Sequence, residues 1–248
     1  MSKMQMLIFA TGIFIVALMF YGFVSGIELK TVTISNLEVD AKVIEEQINN
    51  DSLCSFKSIA IPESFNFGLG GSSRLFYDLV FSKEDVGGNT QLILSIKEHN
   101  KDEIIVARSV IAKGGVVLVD PGFIASDDPI APFYDEDEIV LYPRAAITNN
   151  KAPANSFVAL KEVILGNQTI YIIPCSTYIE SDPNIPNNCI VNILKVGCYK
   201  LKLDEGSPSD TDVVSDCFDV AREVLEGQGL VSGLTWKQCV DMGYYKTS

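Results

Sequence analysis

The sequence predicts an α+β protein with a single N-terminal transmembrane helix, a mainly antiparallel β ectodomain and a short, disulfide-tied helical C-terminus. Three observations lead to this prediction. Residues 6–24 carry no charge, apolar and polar residues alternate in several central runs, and all six cysteines follow the apolar segment. The predicted divisions are a membrane segment at 1–26, a β-rich ectodomain with a membrane-proximal helix at 27–204 and a small helical segment at 205–248.

The apolar segment has the length of a membrane span. At about 1.5 Å per residue, a helix over residues 6–24 extends about 28 Å, close to the hydrocarbon thickness of a bilayer. Lys3 precedes the segment, whereas Glu28 begins a mainly acidic stretch after it. Because positive charge favours the inner side, we expect a single-pass protein of the cell membrane with its N-terminus inside and its ectodomain outside.

Processing of this segment has three alternatives. Residues 24–26 have small or medium side chains of the kind that suits a signal peptidase, so the segment could be a secretory signal removed after Gly26. It could also be retained as an uncleaved anchor.

Gly22 and Gly26 form a small-xxx-small pair that would let two helices pack closely, although the favoured interpretation is that they mark the end of the helix.

The third alternative comes from a resemblance. Lys3-Met4-Gln5, followed directly by the apolar run, resembles the leader of archaeal type IV pilin-like proteins, which have class III signal peptides. The resemblance covers about the first 25 residues and implies cleavage between Met4 and Gln5. It also implies that the apolar segment anchors the subunit or packs into a filament core. Met4 stands where that family usually has a small residue.

The cysteines and two sequons also point to the outside of the cell. An even number of cysteines in an oxidising compartment is expected to pair into up to three disulfides, and six reduced thiols in the cytosol are the alternative. Cys175 and Cys189 bracket a loop rich in Pro and Asn, which a bridge between them would close. A Cys217–Cys239 bridge would join two predicted helices. Asn-x-Ser/Thr sequons at Asn50 and Asn167 predict glycosylation. The six predicted disulfide cysteines are Cys54, Cys175, Cys189, Cys198, Cys217 and Cys239.

Composition limits the partners. The net charge of −13 and the isoelectric point near 4.5 argue against nucleic acid and against docking on anionic lipid, because both need clustered Lys and Arg. The hydrophobic content of 47% is enough for a sizeable core. The expected partners are the lipid bilayer and, in self-assembly or surface contact, further copies of the chain or other envelope proteins.

Hydrophobic periodicity predicts the elements up to residue 124. Asn36 is expected to cap a helix that places Leu37, Ala41, Ile44 and Ile48 on one face. After this helix the period changes to that of strands, and the last three predicted strands are expected to form an antiparallel meander. The predicted strands are 28–35, 57–61, 75–81, 91–98, 103–112 and 116–119.

The second half of the chain begins with a predicted polar loop at 125–156. A hairpin is predicted from 157–165 and 169–173, turning at Gly166, and a further strand pair or bent strand from 190–203. Asp212 is expected to cap a helix, and residues 235–238 have the pattern of a capping box that opens a last short helix.

No catalytic residue, cofactor or metal ligand is predicted. The Gly-rich loop at 68–73 lacks the Gly-Lys-Ser/Thr of a phosphate-binding loop, and the acidic run at 135–138 lacks the ladder of an EF-type calcium loop. His99, the one histidine, is expected to be solvated at a turn. Both acidic and Gly-rich runs are therefore interpreted as surface loops.

The sequence favours a non-catalytic role. We expect a membrane-anchored cell-envelope protein that acts as a pilin-like structural or surface-interaction subunit. The alternative is an anchored extracellular enzyme, namely a hydrolase that uses paired carboxylates, which need only two acids about 5–10 Å apart.

Overall fold

The computed structural model shows a mixed α+β fold built from two four-stranded sheets and two larger helices. It describes residues 37–50, 53–54, 58–60, 65–66, 74–75, 77–99, 101, 104–120, 135–141, 156–164, 166–175, 188–219 and 233–245. The predicted membrane segment at 1–26, the predicted strand at 28–35 and the Gly-rich loop at 68–73 lie outside these residues. Within the described ranges, no helix combines the length and the apolar character needed to cross a bilayer.

Helices α1, α2 and α3 occupy 37–50, Asn188–Glu205 and Trp236–Asp241. Among the described residues there are ten strands, β1 to β10 in chain order: Ser58–Ala60, Phe65–Asn66, Arg74–Leu75, Tyr77–Val86, Asn89–Glu98, Ile104–Lys113, Gly115–Leu118, Glu138–Leu141, Ser156–Ile164 and Asn167–Cys175. The order β6-β5-β4-β8 forms the outer sheet and β1-β9-β10-β7 the central sheet, while β2 pairs with β3. All pairings are antiparallel except that of β7 with β10.

The central sheet is buried on both faces, because successive side chains of a strand point to opposite sides. On one face, Phe157 and Ala159 of β9 pack against the outer sheet and α1, and we call this apolar cluster the sheet core. On the other face, Val158 and Leu160 pack against α2 and the C-terminal segment, and we call this cluster the helix core. Residues before and after the predicted boundary at 204/205 therefore share one core.

Helix α1 follows the predicted helical pattern. The four residues expected on one face, Leu37, Ala41, Ile44 and Ile48, are all buried in the sheet core. The spacing of three to four residues gives one continuous apolar stripe, which explains why sequence periodicity identified this helix. The predicted cap at Asn36 lies outside the described residues.

The half-buried Asp40 of α1 gives stability a pH dependence. Burial raises the pKa of its carboxyl group, because the ionised form is disfavoured in the folded state. The folded state is therefore relatively more stable at low pH, where this group is protonated, and loses that stability as pH rises through the folded-state pKa. We expect Asp40→Asn to increase the free energy of unfolding at pH 7 by less than about 1 kcal/mol, because solvent screens much of the charge.

Urea denaturation at two pH values checks this expectation. At about pH 3 the unfolded-state carboxyl is already mostly protonated, so the gain should vanish. A gain of equal size at both pH values would assign the effect to helix propensity and contradict the role of charge.

The predicted hairpin and capping box are confirmed. Strands β9 and β10 pair from Asn167 with Ile164 to Cys175 with Ser156, and Gly166 adopts a φ of 84° in the turn. At α3 the Thr235 hydroxyl accepts the Gln238 N–H at 3.3 Å, while the Gln238 side chain accepts the Thr235 N–H at 2.9 Å.

The predicted meander is wrong in its third strand. Residues 104–113 pair with β5 as expected, but β7 leaves the outer sheet and pairs in parallel with β10. Gly114 permits this passage, since a Cβ there would lie 2.6 Å from the Gln168 carbonyl oxygen. After the Gly-Gly pair at 114–115 the chain passes from the outer sheet to the central sheet. The third strand of the meander is therefore β4, which pairs with β5.

Two further predictions in the second half are wrong. Residues 190–203 belong to helix α2, whose buried apolar residues pack into the helix core with helical spacing, at Ile190, Ile193, Leu194, Val196, Cys198 and Leu201. Asp212 caps no helix. Its carboxylate accepts the Ser209 N–H at 2.6 Å and the Ser209 hydroxyl at 2.7 Å in an upstream turn, and the next helical turn is at 216–219.

Gly197 sets how closely α2 packs on the C-terminal segment. A Cβ at this position would lie 2.6 Å from Cβ of Phe218 and 2.7 Å from Cγ1 of Val214. We expect Gly197→Ala to lower the free energy of unfolding by about 1–3 kcal/mol through overpacking. Leu203→Ala, at a position of α2 that is 61% exposed, is the control and should change stability little. An unchanged denaturation midpoint for Gly197→Ala would contradict the close approach.

Candidate functional site

Strand β9 carries two adjacent charged residues in an otherwise apolar run. Lys161 and Glu162 are only 5% and 6% exposed, which is unusual for charged side chains. Because neighbouring residues of a strand face opposite sides, the two side chains serve different layers of the protein.

Lys161 holds the end of α1. Its ammonium group donates a hydrogen bond to the Asn49 carbonyl oxygen at 2.9 Å. Carbonyl groups in the last turn of a helix lack intrahelical partners and carry partial negative charge, so a cation is favourable there. The contact fixes α1 on the central sheet.

Glu162 serves the opposite face. One carboxylate oxygen accepts the Ser215 hydroxyl at 2.5 Å, and the other accepts the Tyr171 hydroxyl at 3.2 Å. Burial raises the pKa of Tyr171, and the charge and hydrogen bond of Glu162 raise it further. Tyr171 therefore stays protonated and acts as a donor. Its hydroxyl connects β9 to β10, whereas the Ser215 hydroxyl connects β9 to the C-terminal segment.

A disulfide joins the two layers at the same edge. Cys54 and Cys217 are bonded, and the Cys54 N–H donates to the Lys161 carbonyl oxygen at 2.9 Å. Cys54 lies shortly after α1, while Cys217 lies in the helical turn that packs on the other face. We use the name edge clasp for this set, which consists of Lys161, Glu162, Tyr171, Ser215 and the Cys54–Cys217 disulfide.

The contacts of the edge clasp have the character of a structural connection. A paired-carboxylate hydrolase needs a second carboxyl group across a cleft, whereas the two partners of Glu162 are hydroxyl groups. A serine nucleophile needs a base that can take its proton and donors for the developing oxyanion. Here the Ser215 and Tyr171 hydroxyls both donate to one buried carboxylate, which satisfies its charge.

The expectation for His99 is wrong. Its Nδ1 lies 2.7 Å from a carboxylate oxygen of Asp78, and the His99 side chain is only 21% exposed. Asp78 itself is buried. Residues 78 and 99 lie near the paired ends of β4 and β5, so strand pairing brings the two side chains together. Turn position alone gave no sign of this partner.

The acidic run at 135–138 is more ordered than the predicted loop. Asp135 forms an ion pair with Lys83 of the outer sheet, and its carboxylate also accepts the Leu118 N–H of the central sheet at 2.9 Å. Glu138 begins β8. The first acid of the run therefore connects the two sheets. Across the described ranges, no group of three or more His, Cys, Asp or Glu side chains is arranged to hold a metal ion.

All six predicted disulfide cysteines are paired. The bonds are Cys54–Cys217, Cys175–Cys189 and Cys198–Cys239. The predicted Cys175–Cys189 bridge is confirmed, and the suggested Cys217–Cys239 bridge is wrong. Cys239 of α3 is bonded to Cys198 of α2, because residues 190–203 form a helix and not the predicted strand pair or bent strand.

The other predicted site residues fall in two groups. Asn50 and Asn167, the sequon asparagines, are both exposed. Gly22 and Gly26, the predicted helix-packing pair, lie outside the described residues. The edge clasp itself was missed, although a Lys-Glu pair inside an apolar strand is a signal that could have indicated it.

Comparison of the chain with protein-family models, with curated proteins and with solved structures finds no match in any of the three.

Proposed function

We propose that this chain is a non-catalytic, membrane-anchored protein of the cell envelope, whose domain after residue 26 lies outside the membrane. The observation that carries the proposal is the pairing of all six cysteines into three disulfides. Disulfides persist in oxidising compartments and are rare in the cytosol, so a fold that uses every cysteine in this way suits an exported protein.

The apolar segment at 6–24 supports the proposal that the chain is anchored in a membrane. It precedes every cysteine, and its length matches one bilayer crossing. The weak bias of positive charge towards its N-terminal side favours the orientation that exports the rest of the chain.

The proposed role is that of a pilin-like structural or surface-interaction subunit. The Lys3-Met4-Gln5 leader motif supports this role through its resemblance to archaeal type IV pilin-like proteins. The edge clasp is consistent with a structural role. Lys161 donates to a backbone carbonyl and Glu162 accepts from two hydroxyl groups, so both buried charges connect parts of the fold. Partners are the lipid bilayer and further copies of the chain or other envelope proteins.

Labelling of intact cells tests the orientation. Lys101 and Lys237 have side chains that are 57% and 60% exposed, so a membrane-impermeant, amine-reactive reagent should modify both without lysis. A cytosolic protein of the same cells is the control and should react only after lysis. Modification of Lys101 and Lys237 only in lysed cells would overturn the proposed orientation.

A further inference from the structure

The two sequon asparagines are far apart in the sequence but close in the fold. Asn50 is the last residue of α1, directly after Asn49, whose carbonyl oxygen contacts Lys161 of β9. Asn167 begins β10 at the turn of the β9–β10 hairpin. Both therefore belong to the region around the C-terminal end of β9.

Strand register gives the distance along the sheet. Lys161 pairs with Ile170, and Ile164 pairs with Asn167, so three residues separate the two positions. At about 3.3 Å per residue this is about 10 Å along the strands. Asn50 is displaced from Lys161 by the length of the lysine side chain towards the α1 face. The two asparagines therefore lie at one end of the central sheet, within reach of one another's attached groups.

This end of the sheet also exposes apolar side chains. Leu53, one residue before Cys54, is 54% exposed, and Val163, next to Glu162, is 48% exposed. Val163 lies between Lys161 and Ile164 on β9, and Leu53 follows Asn50 by three residues. Exposed apolar side chains favour contact with other chains when they lie together, so a cover over this region would lower that exposure.

We propose that Asn50 and Asn167 both carry N-linked glycans, which together cover this end of the central sheet beside the edge clasp. The inference rests on the proposed export, because sequons are used only on the secretory side. The glycans would screen Leu53 and Val163 from other chains and leave the opposite ends of the sheets available for contact.

The transfer itself requires an oligosaccharide activated on a polyisoprenyl phosphate. The side-chain amide nitrogen of asparagine forms a bond with the anomeric carbon of the first sugar. The bond from that carbon to the phosphate oxygen breaks, the lipid phosphate leaves with the electron pair, and one amide proton passes to a base of the transferase. No oxidation or reduction takes place.

Mass spectrometry of the full chain from its native membrane tests the proposal. Peptides containing Asn50 and Asn167 should each carry a sugar increment. Asn50→Gln and Asn167→Gln should each remove one increment, and the double variant should lose both. Thr169→Val should also remove the increment at Asn167, because it keeps the asparagine and the side-chain volume but destroys the sequon. Thr169→Ser, which keeps the sequon, and Asn89→Gln, at an exposed asparagine outside any sequon, should retain both.

The same sample separates this proposal from the proposed function. Unmodified Asn50 or Asn167 in protein whose cysteines are all paired would overturn the shared glycan cover and leave the export standing. Free cysteines throughout the chain would overturn the export. An increment that persists in Thr169→Val would show that the sugar is not attached through this sequon, and would overturn the assignment at Asn167.

Discussion

Replacing Cys54 and Cys217 together with serine is expected to lower the free energy of unfolding by about 5 kcal/mol, the largest effect of any disulfide in the protein. The bond joins residues 163 positions apart and so closes most of the described domain into one loop. Closing a longer loop removes more conformational entropy from the unfolded chain. It also joins the two layers that pack on opposite faces of the central sheet.

The matched control is the Cys175–Cys189 bridge, which spans 14 positions. Replacing this pair with serine should cost about 3 kcal/mol, because the loop it closes is short. Urea denaturation of each double variant, with the other two disulfides intact, measures both values. An equal or larger loss for Cys175→Ser with Cys189→Ser would contradict the ranking by loop length and the central position of the edge clasp.

Phe218→Ala is expected to lower the free energy of unfolding by about 3–5 kcal/mol, the largest effect of a single substitution. Phe218 is fully buried in the helix core, and its ring packs edge-on against Tyr171 with the centroids 5.1 Å apart. The same side chain lies against Gly197 of α2. Truncation would leave a cavity where α2, the central sheet and the C-terminal segment meet.

Val213→Ala provides the control for Phe218→Ala. Val213 lies five residues earlier in the same segment but is 53% exposed, so its truncation should cost less than about 0.5 kcal/mol. Guanidinium denaturation of both variants measures the difference. Similar small losses for the two variants would show that Phe218 does not form the centre of the helix core.

Local pattern predicted the elements whose structure is decided locally. The stripe of Leu37, Ala41, Ile44 and Ile48 identified α1, and Gly166 identified the β9–β10 turn. The pattern at 235–238 identified the start of α3. In each case the residues that specify the structure are close to one another in the sequence.

The errors arose where distant residues decide the structure. Residues 190–203 contain enough Ile and Val to suit a strand, and only packing of α2 on the face formed by Leu160 and Tyr171 makes them helical. Strand β7 follows β6 after Gly114, so sequence order favoured pairing between them, yet its partner β10 lies far along the chain.

The edge clasp was missed for the same reason. Cys54 and Cys217 are joined across most of the domain, and nothing near either cysteine specifies the other. Lys161 and Glu162 acquire their roles from the Asn49 carbonyl and the Ser215 hydroxyl, which reach β9 only after the two layers pack. The same holds for His99, whose partner Asp78 comes from strand pairing.

The central claim is that this domain folds with its cysteines paired outside the cytosol. The most direct measurement is a thiol count on protein taken from intact cells by acid quench, alkylated with and without reductant and then mapped by peptide mass. The account predicts no alkylation before reduction, alkylation of all six cysteines after it, and linked peptides for Cys54–Cys217, Cys175–Cys189 and Cys198–Cys239. Alkylation of all six cysteines without reductant would contradict it.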